Sequence, residues 1–99
     1  MIRSFGDRGT EDVFDGANSA AARKASPQSL WPIARRKLDQ IDSAEELADL
    51  RVPPGNRLEP LRGDRAGQHS IRINEQYRVC FRWSAEGPED VEIADYHSG

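Results

Sequence analysis

Cysteine occurs once, methionine once and histidine twice in the 99 residues, and lysine supplies only two of the 14 basic side chains. A lone Cys80 cannot close an internal disulfide, so a reducing, cytoplasmic setting is the expectation. His69, His97 and Cys80 are the only soft metal ligands, which leaves no set for a structural zinc; no metal and no other cofactor is expected. No apolar run nears the ~18 residues of a membrane span, and the first residues lack the apolar stretch of a secretory signal, so no membrane role is expected. Neither a Walker loop nor a dinucleotide fingerprint is present. Apolar residues make up 36% and mean hydropathy is −0.78. One small core follows, and residues 1–99 read as a single domain burying roughly two-thirds of its extended surface.

The net charge of −3 conceals a partition. Residues 1–50 carry 7 basic and 9 acidic side chains, residues 51–83 carry 7 arginines against Glu59, Asp64 and Glu75, and residues 84–99 carry 5 acids and no base. Arginine presents a planar fork of donors suited to phosphate, so the central segment permits nucleic-acid binding. Charge alone also fits a solvated surface. In a chain acidic overall, a polyanion must be met by a local patch.

Helical signals dominate the first half. Thr10 before Glu11 and Asp12 predicts a helix start, and Gly16 its stop. Residues 18–26, rich in Ala and small polar residues, suit loop or helix. Leu30, Ile33, Ala34, Leu38 and Ile41 fall at helical spacing, with Pro32 tolerated in the first turn of a helix beginning near Ser29. Ser43-Ala-Glu-Glu46 has capping-box spacing and predicts a short helix through Leu50, ended by Val52-Pro53-Pro54-Gly55. The second half alternates. Residues 70–74 predict one strand, and residues 77–83 a second with Tyr77, Val79, Phe81 and Trp83 on one face and Arg78, Cys80 and Arg82 on the other. Residues 74–76 join them in a hairpin, residues 84–89 make the next turn, and residues 90–95 form a third strand. Met1–Phe5 is a further, poorly alternating candidate. The whole reads as α+β, helices packed on one face of a small, mainly antiparallel sheet.

Two clusters carry chemistry. Asp95-Tyr96-His97 sets three proton-handling side chains in sequence, and a histidine near its ordinary pKa of ~6.5 gives or takes a proton at neutral pH. On an ideal strand Asp95 and His97 point the same way, about 6.6 Å apart at Cα, with Tyr96 opposite. In Arg57-Leu-Glu-Pro-Leu-Arg-Gly-Asp-Arg65, Arg62 and Arg65 flank a glycine in a turn-rich stretch able to clamp phosphate. Taken singly, these are equally a solvated terminus and a surface loop with Arg–Asp pairing. Trp31 and Trp83 read as core. Cys80 reads as a small packed side chain, although its arginine neighbours favour a thiolate.

In order, Met-Ile-Arg-Ser-Phe, Ala34-Arg-Arg-Lys-Leu38, Leu50-Arg-Val-Pro-Pro-Gly-Asn-Arg-Leu58, Leu61-Arg-Gly-Asp-Arg65, residues 70–83 and Asp95-Tyr-His97 together resemble the HigB-type toxins of bacterial type II toxin–antitoxin systems, within the RelE/ParE superfamily. The resemblance spans essentially the whole chain. It implies a compact RelE-like fold and a metal-independent endoribonuclease that cuts messenger RNA in the ribosomal A site. It also implies a HigA-type antitoxin with a helix-turn-helix domain, through which operator DNA is met only indirectly. By position it makes Asp95, Tyr96 and His97 catalytic, with Glu59 where some members carry histidine. Arg62, Arg65 and Arg78 become the phosphate binders. Two other outcomes share the fold: a toxin that binds protein, as gyrase inhibitors do, and a weakly active partner that tunes antitoxin repression. The acidic segment 86–92 and the surface of Arg35, Arg36 and Lys37 offer handles for the antitoxin.

Overall fold

The structure, a computed structural model, describes residues 1–96; the expectation for His97 lies outside the described residues. Helix α1 (Arg8–Asp15) begins two residues earlier than the Thr10 signal predicts, because Asp7 takes the cap: its carboxylate accepts from the Thr10 backbone N–H at 2.6 Å. Gly16 closes the helix at φ +79°. Thr10 is thereby turned inward, where its Oγ1 accepts the Ile93 N–H at 2.9 Å. Helix α2 (Ala20–Ala25) settles the open choice for residues 18–26, with Ser19 as its cap. Asp12 binds both Ser19 (2.6 Å) and Arg8 (3.1 Å), and the Ser19 bond ties the cap of α2 to α1.

Helix α3 (Trp31–Ser43) buries Ala34, Leu38 and Ile41 of the predicted stripe together with Trp31, with Pro32 in its first turn; Ile33 is half-buried, and Leu30 is half-buried just before the helix begins. Ser43 ends this helix instead of capping the next one. The following turn is a 3₁₀ helix over Leu47–Arg51, stabilised from the other direction: Asp49 Oδ2 accepts the backbone N–H groups of Glu45 (3.0 Å) and Glu46 (3.1 Å). Leu50 is buried as expected.

Four antiparallel strands follow in spatial order: β1 (Glu59–Pro60), β2 (His69–Arg72), β3 (Tyr77–Ser84) and β4 (Gly87–Asp95). β1 is an addition to the predicted meander. The 84–89 turn shrinks to two residues, since Ser84 already pairs with Gly87 and Trp83 with Pro88. β4 makes up the length with a bulge: Cys80 faces Glu92 while Arg82 faces Glu89, and Asp90 adopts φ +52°. Met1–Phe5 forms no strand; Phe5 makes one parallel bridge to Val91, and the Arg3 and Gly6 N–H groups bond the β4 carbonyls of Pro88 and Val91.

Helices α1 and α3 pack on one face of the sheet, where Ile71, Ile73, Val79, Phe81, Val91 and Ile93 meet Val13, Trp31, Leu38 and Ile41. Tyr77 and Trp83 join that cluster at its edge, as the alternation predicts. Burying this apolar layer is the main term holding the domain together. The other face carries Ser70, Arg72, Arg78, Cys80, Glu92 and Tyr96, by strand parity. That charged face holds the candidate site.

Candidate active site

The Asn74–Gln76 turn sets the end of β4. Asn74 Oδ1 accepts the N–H groups of Gln76 (2.9 Å) and Tyr77 (2.7 Å), which fixes the turn. The Gln76 carbonyl then accepts the Tyr96 N–H at 2.7 Å, so Tyr96 is held by backbone just beyond the last paired residue. Its ring lies over the outer sheet face, with the phenolic oxygen 3.5 Å from Cys80 Sγ. Arg57, Glu59, Arg72, Asn74, Glu75, Arg78 and Tyr96 line a cleft of about 340 Å³ there.

Arg78 is the scaffold of this cleft. Its side chain is only 13% exposed. Nε donates to Ser70 Oγ at 2.7 Å, and Nη2 donates to the Arg57 carbonyl at 2.7 Å and stands 3.6 Å from Glu59 Oε1. Arg57 can present that carbonyl because its backbone turns through φ +48° after the 3₁₀ turn Pro54–Asn56. Arg65 lies beside the same cluster. Its Nη1 donates to Glu92 Oε1 at 2.6 Å and to Gln68 Oε1 at 3.1 Å, and the bond to Glu92 drives its pKa upward. Arg62 begins the Gly63–Arg65 turn, exposed and without an ion-pair partner among the described residues.

Protonation follows from these contacts. Burial first, then the Cys80 contact, pushes the Tyr96 phenol up to about 12, with Arg65 and Arg78 acting in the opposite sense. Tyr96 is therefore a neutral phenol at physiological pH, able to donate a hydrogen bond or proton and ill suited to take one. Burial likewise pushes the Cys80 thiol up, against the pull of Tyr96 and Arg65. The arginine neighbours do not make it a thiolate; Cys80 is a packed support under the tyrosine ring.

The sequence-predicted residues divide three ways. Glu59, Arg78 and Tyr96 share the cleft, and Arg65 adjoins it. Asp95 points the other way, as strand parity requires: it pairs with Tyr77, accepts from Gln76 Nε2 at 3.2 Å, and lines a groove on the helix side with Asp7, Arg8, Lys24 and Ile93. Arg62 does not line the cleft. Arg57 and Arg72 do line it and were missed. Arg72 was legible, since it sits two residues from Ser70 on the same strand face; Arg57 reaches the site only through its left-handed turn.

Two helices and a 3₁₀-rich connection laid on one face of an antiparallel sheet, with an arginine-lined cleft on the other, define the RelE-like toxin class. The fold is shared with the YoeB–YefM complex from Staphylococcus aureus, at a TM-score of 0.59 over 98% of each chain and 13% identity. Residues 3–97 match the family model of the RelE-like toxin of the type II toxin–antitoxin system HigB. The chain belongs to the HigB-like toxin family. It is 39% identical over 83 residues to Toxin HigB-1 of Vibrio cholerae, covering 84% of each chain. It is also 27% identical over 97 residues to Endoribonuclease HigB of Proteus vulgaris, covering 98% of this chain and 100% of that one. The chain is thus the toxin component of a type II pair, whose counterpart is an antitoxin. No helix among the described residues is long and apolar enough to cross a membrane.

Proposed function

We propose that this protein is an mRNA interferase that cuts message in the ribosomal A site of the cytoplasm without a metal, and that a HigA-type helix-turn-helix antitoxin restrains it. The observation that carries the reading is the cleft in which Glu59, Arg78 and a neutral Tyr96 phenol share one wall system with two further arginines. RNA brings its own nucleophile, the 2′-hydroxyl. Its oxygen attacks the adjacent phosphorus, its proton passes to a base, and the 5′-oxygen leaves with a proton from an acid, giving a 2′,3′-cyclic phosphate. The protein must supply a base, an acid and positive charge at the phosphorane.

Tyr96 suits the acid or a donor to the phosphorane, since it holds its proton. His97 and Glu59 are the candidates for proton transfer at the nucleophile, and Asp95 orients the chain end through Gln76. Arg62, Arg65 and Arg78 supply positive charge, that of Arg65 partly balanced by Glu92. Antitoxin binding acts by making the toxin too large for the A site, leaving Tyr96 and His97 reachable. The test is a paused translation complex with a defined A-site codon, treated with the purified toxin and mapped by primer extension. Cleavage should occur in that codon, leave a cyclic phosphate, and vanish when the reacting nucleotide is 2′-deoxy. Cleavage that survives the 2′-deoxy change would refute 2′-hydroxyl attack.

A further inference from the structure

Arg72 and Arg78 are direct cross-strand partners in the β2–β3 register, two like charges placed opposite each other on the same sheet face. Such pairs destabilise a sheet. Arg78 is relieved by the Ser70 hydroxyl, the Arg57 carbonyl and Glu59. Arg72 is half-buried at the cleft, and its guanidinium has no hydrogen-bond or ion-pair partner among the described residues. The Arg57 side chain lines the same cleft, exposed and likewise without such a partner. With Arg78 donors engaged inward and Arg65 held by Glu92, the guanidinium donors left open toward the cleft are those of Arg57 and Arg72.

We infer that Arg57 and Arg72 form a phosphate clamp that grips a backbone phosphodiester of the RNA strand in the cleft. Arg78 lies behind them as a positioning residue that fixes the Arg57 turn and adds to the local positive potential. The inference deepens the endoribonuclease reading and rests on it for the identity of the ligand. A cavity of about 340 Å³ lies at the small end of ligand sites and suits one nucleotide unit. The unrelieved Arg72 charge is what such a clamp costs the empty sheet, and a bound phosphate removes the repulsion.

The test uses the full chain and a short 2′-O-methylated RNA, which binds and cannot be cut, titrated over a range of salt. Arg72→Ala should lower affinity at low salt about tenfold and reduce the log–log salt slope by about 0.7, the single-strand value per phosphate contact. Arg57→Ala should act in the same sense. Arg72→Lys should restore the slope and only part of the affinity, because an ammonium lacks the bidentate fork. Exposed Arg36→Ala on α3, across the sheet, should leave the slope unchanged. Arg72→Ala should also melt no lower than the wild type, since its loss relieves like-charge repulsion; a structural arginine would lower the melting temperature. An unchanged slope in Arg72→Ala, or a binding loss that only tracks a lowered melting temperature, overturns the clamp. Cleavage of ribosome-bound mRNA by the wild type is measured in parallel. If the wild type binds RNA but does not cut, the nuclease reading fails and the slopes still decide the clamp. If the wild type cuts and Arg72→Ala keeps its KM and slope, the clamp alone fails. Absence of any salt-dependent RNA binding by the wild type refutes the clamp, and the cleavage assay on ribosome-bound mRNA then decides the nuclease reading separately.

Discussion

Replacing Asn56 by alanine should destabilise the fold and loosen the site together. Asn56 is fully buried between α3 and the loop that leads to β1. Its Nδ2 donates to Gln40 Oε1 (3.0 Å), to the Leu50 carbonyl (3.1 Å) and, at longer range, to the Val52 carbonyl (3.4 Å). Its Oδ1 accepts from Lys37 Nζ at 2.6 Å. Burial, and the charge of Arg36 next to it, hold the Lys37 ammonium below the usual lysine range, so losing that acceptor is costly. Two good neutral bonds at ~0.5–1.5 kcal/mol each and one to a charged group at ~1.5–3 kcal/mol bracket the loss, less what water recovers at the half-exposed Lys37 and Gln40. A net cost of about 3 kcal/mol follows, a large share of the ~5–15 kcal/mol of a typical domain. The melting temperature should fall by on the order of 15 °C. Asn56→Asp keeps the acceptor for Lys37 but turns a buried carboxylate oxygen toward the Leu50 and Val52 carbonyls, so it should be no more stable than alanine. Urea melts of the three proteins give the numbers. A cost below about 1 kcal/mol for Asn56→Ala would show that this network does not hold the loop carrying Arg57.

Tyr96→Phe should slow cleavage by ~10²–10⁴-fold if the phenol is the acid, without shifting the neutral-pH limb of the rate profile; a shift of that limb would mean Tyr96 titrates in range. Because its folded pKa of about 12 lies above the unfolded value, the stability linked to Tyr96 is present below pH ~10 and is lost as pH rises toward 12. Alkaline melts of Tyr96→Phe should therefore decline less over that window than wild type, and identical declines would contradict the burial. Asp12 shows the opposite linkage: its bond from Ser19 and its pairing with Arg8 hold the carboxyl below the usual range. Stability from Asp12 is present above pH ~4 and lost as pH falls through the lowered value, so Asp12→Asn should flatten the acid limb of melting temperature against pH. Gly9→Ala should cost ~1–3 kcal/mol, since its methyl would run into the Ala21 carbonyl and lie 2.9 Å from Ala25 Cβ where α1 crosses α2. A neutral melt would show the two helices can part freely.

What was legible in the sequence was whatever one periodicity decided. Leu38 and Ile41 recur on one helical stripe, and Val79 and Phe81 on one strand face, with no competing signal, so both layers of the core came through. The start of α1 was misplaced because Thr10 suits a cap by residue type, whereas Asp7 takes the cap and Thr10 turns inward to accept the Ile93 N–H. β1 holds two residues, one of them proline, and is defined by its partner strand. The Asp90 bulge uses a positive φ that a non-glycine residue does not advertise. At the site, parity separates Asp95 from Tyr96 as the ideal strand requires, and the structure keeps that separation. The roles of the arginines were not legible. Seven of them occupy residues 51–83, and whether each points at phosphate or at its own protein depends on contacts such as Arg65 with Glu92 that lie 27 residues apart.

The most direct test compares one mRNA in three states: free in solution, on a ribosome with an empty A site, and on a ribosome whose A site holds tRNA. Wild-type toxin should cut within the A-site codon in the empty state and leave the other two largely intact. Equal cleavage of all three, or none in the empty A site by a folded and RNA-binding protein, would contradict the account.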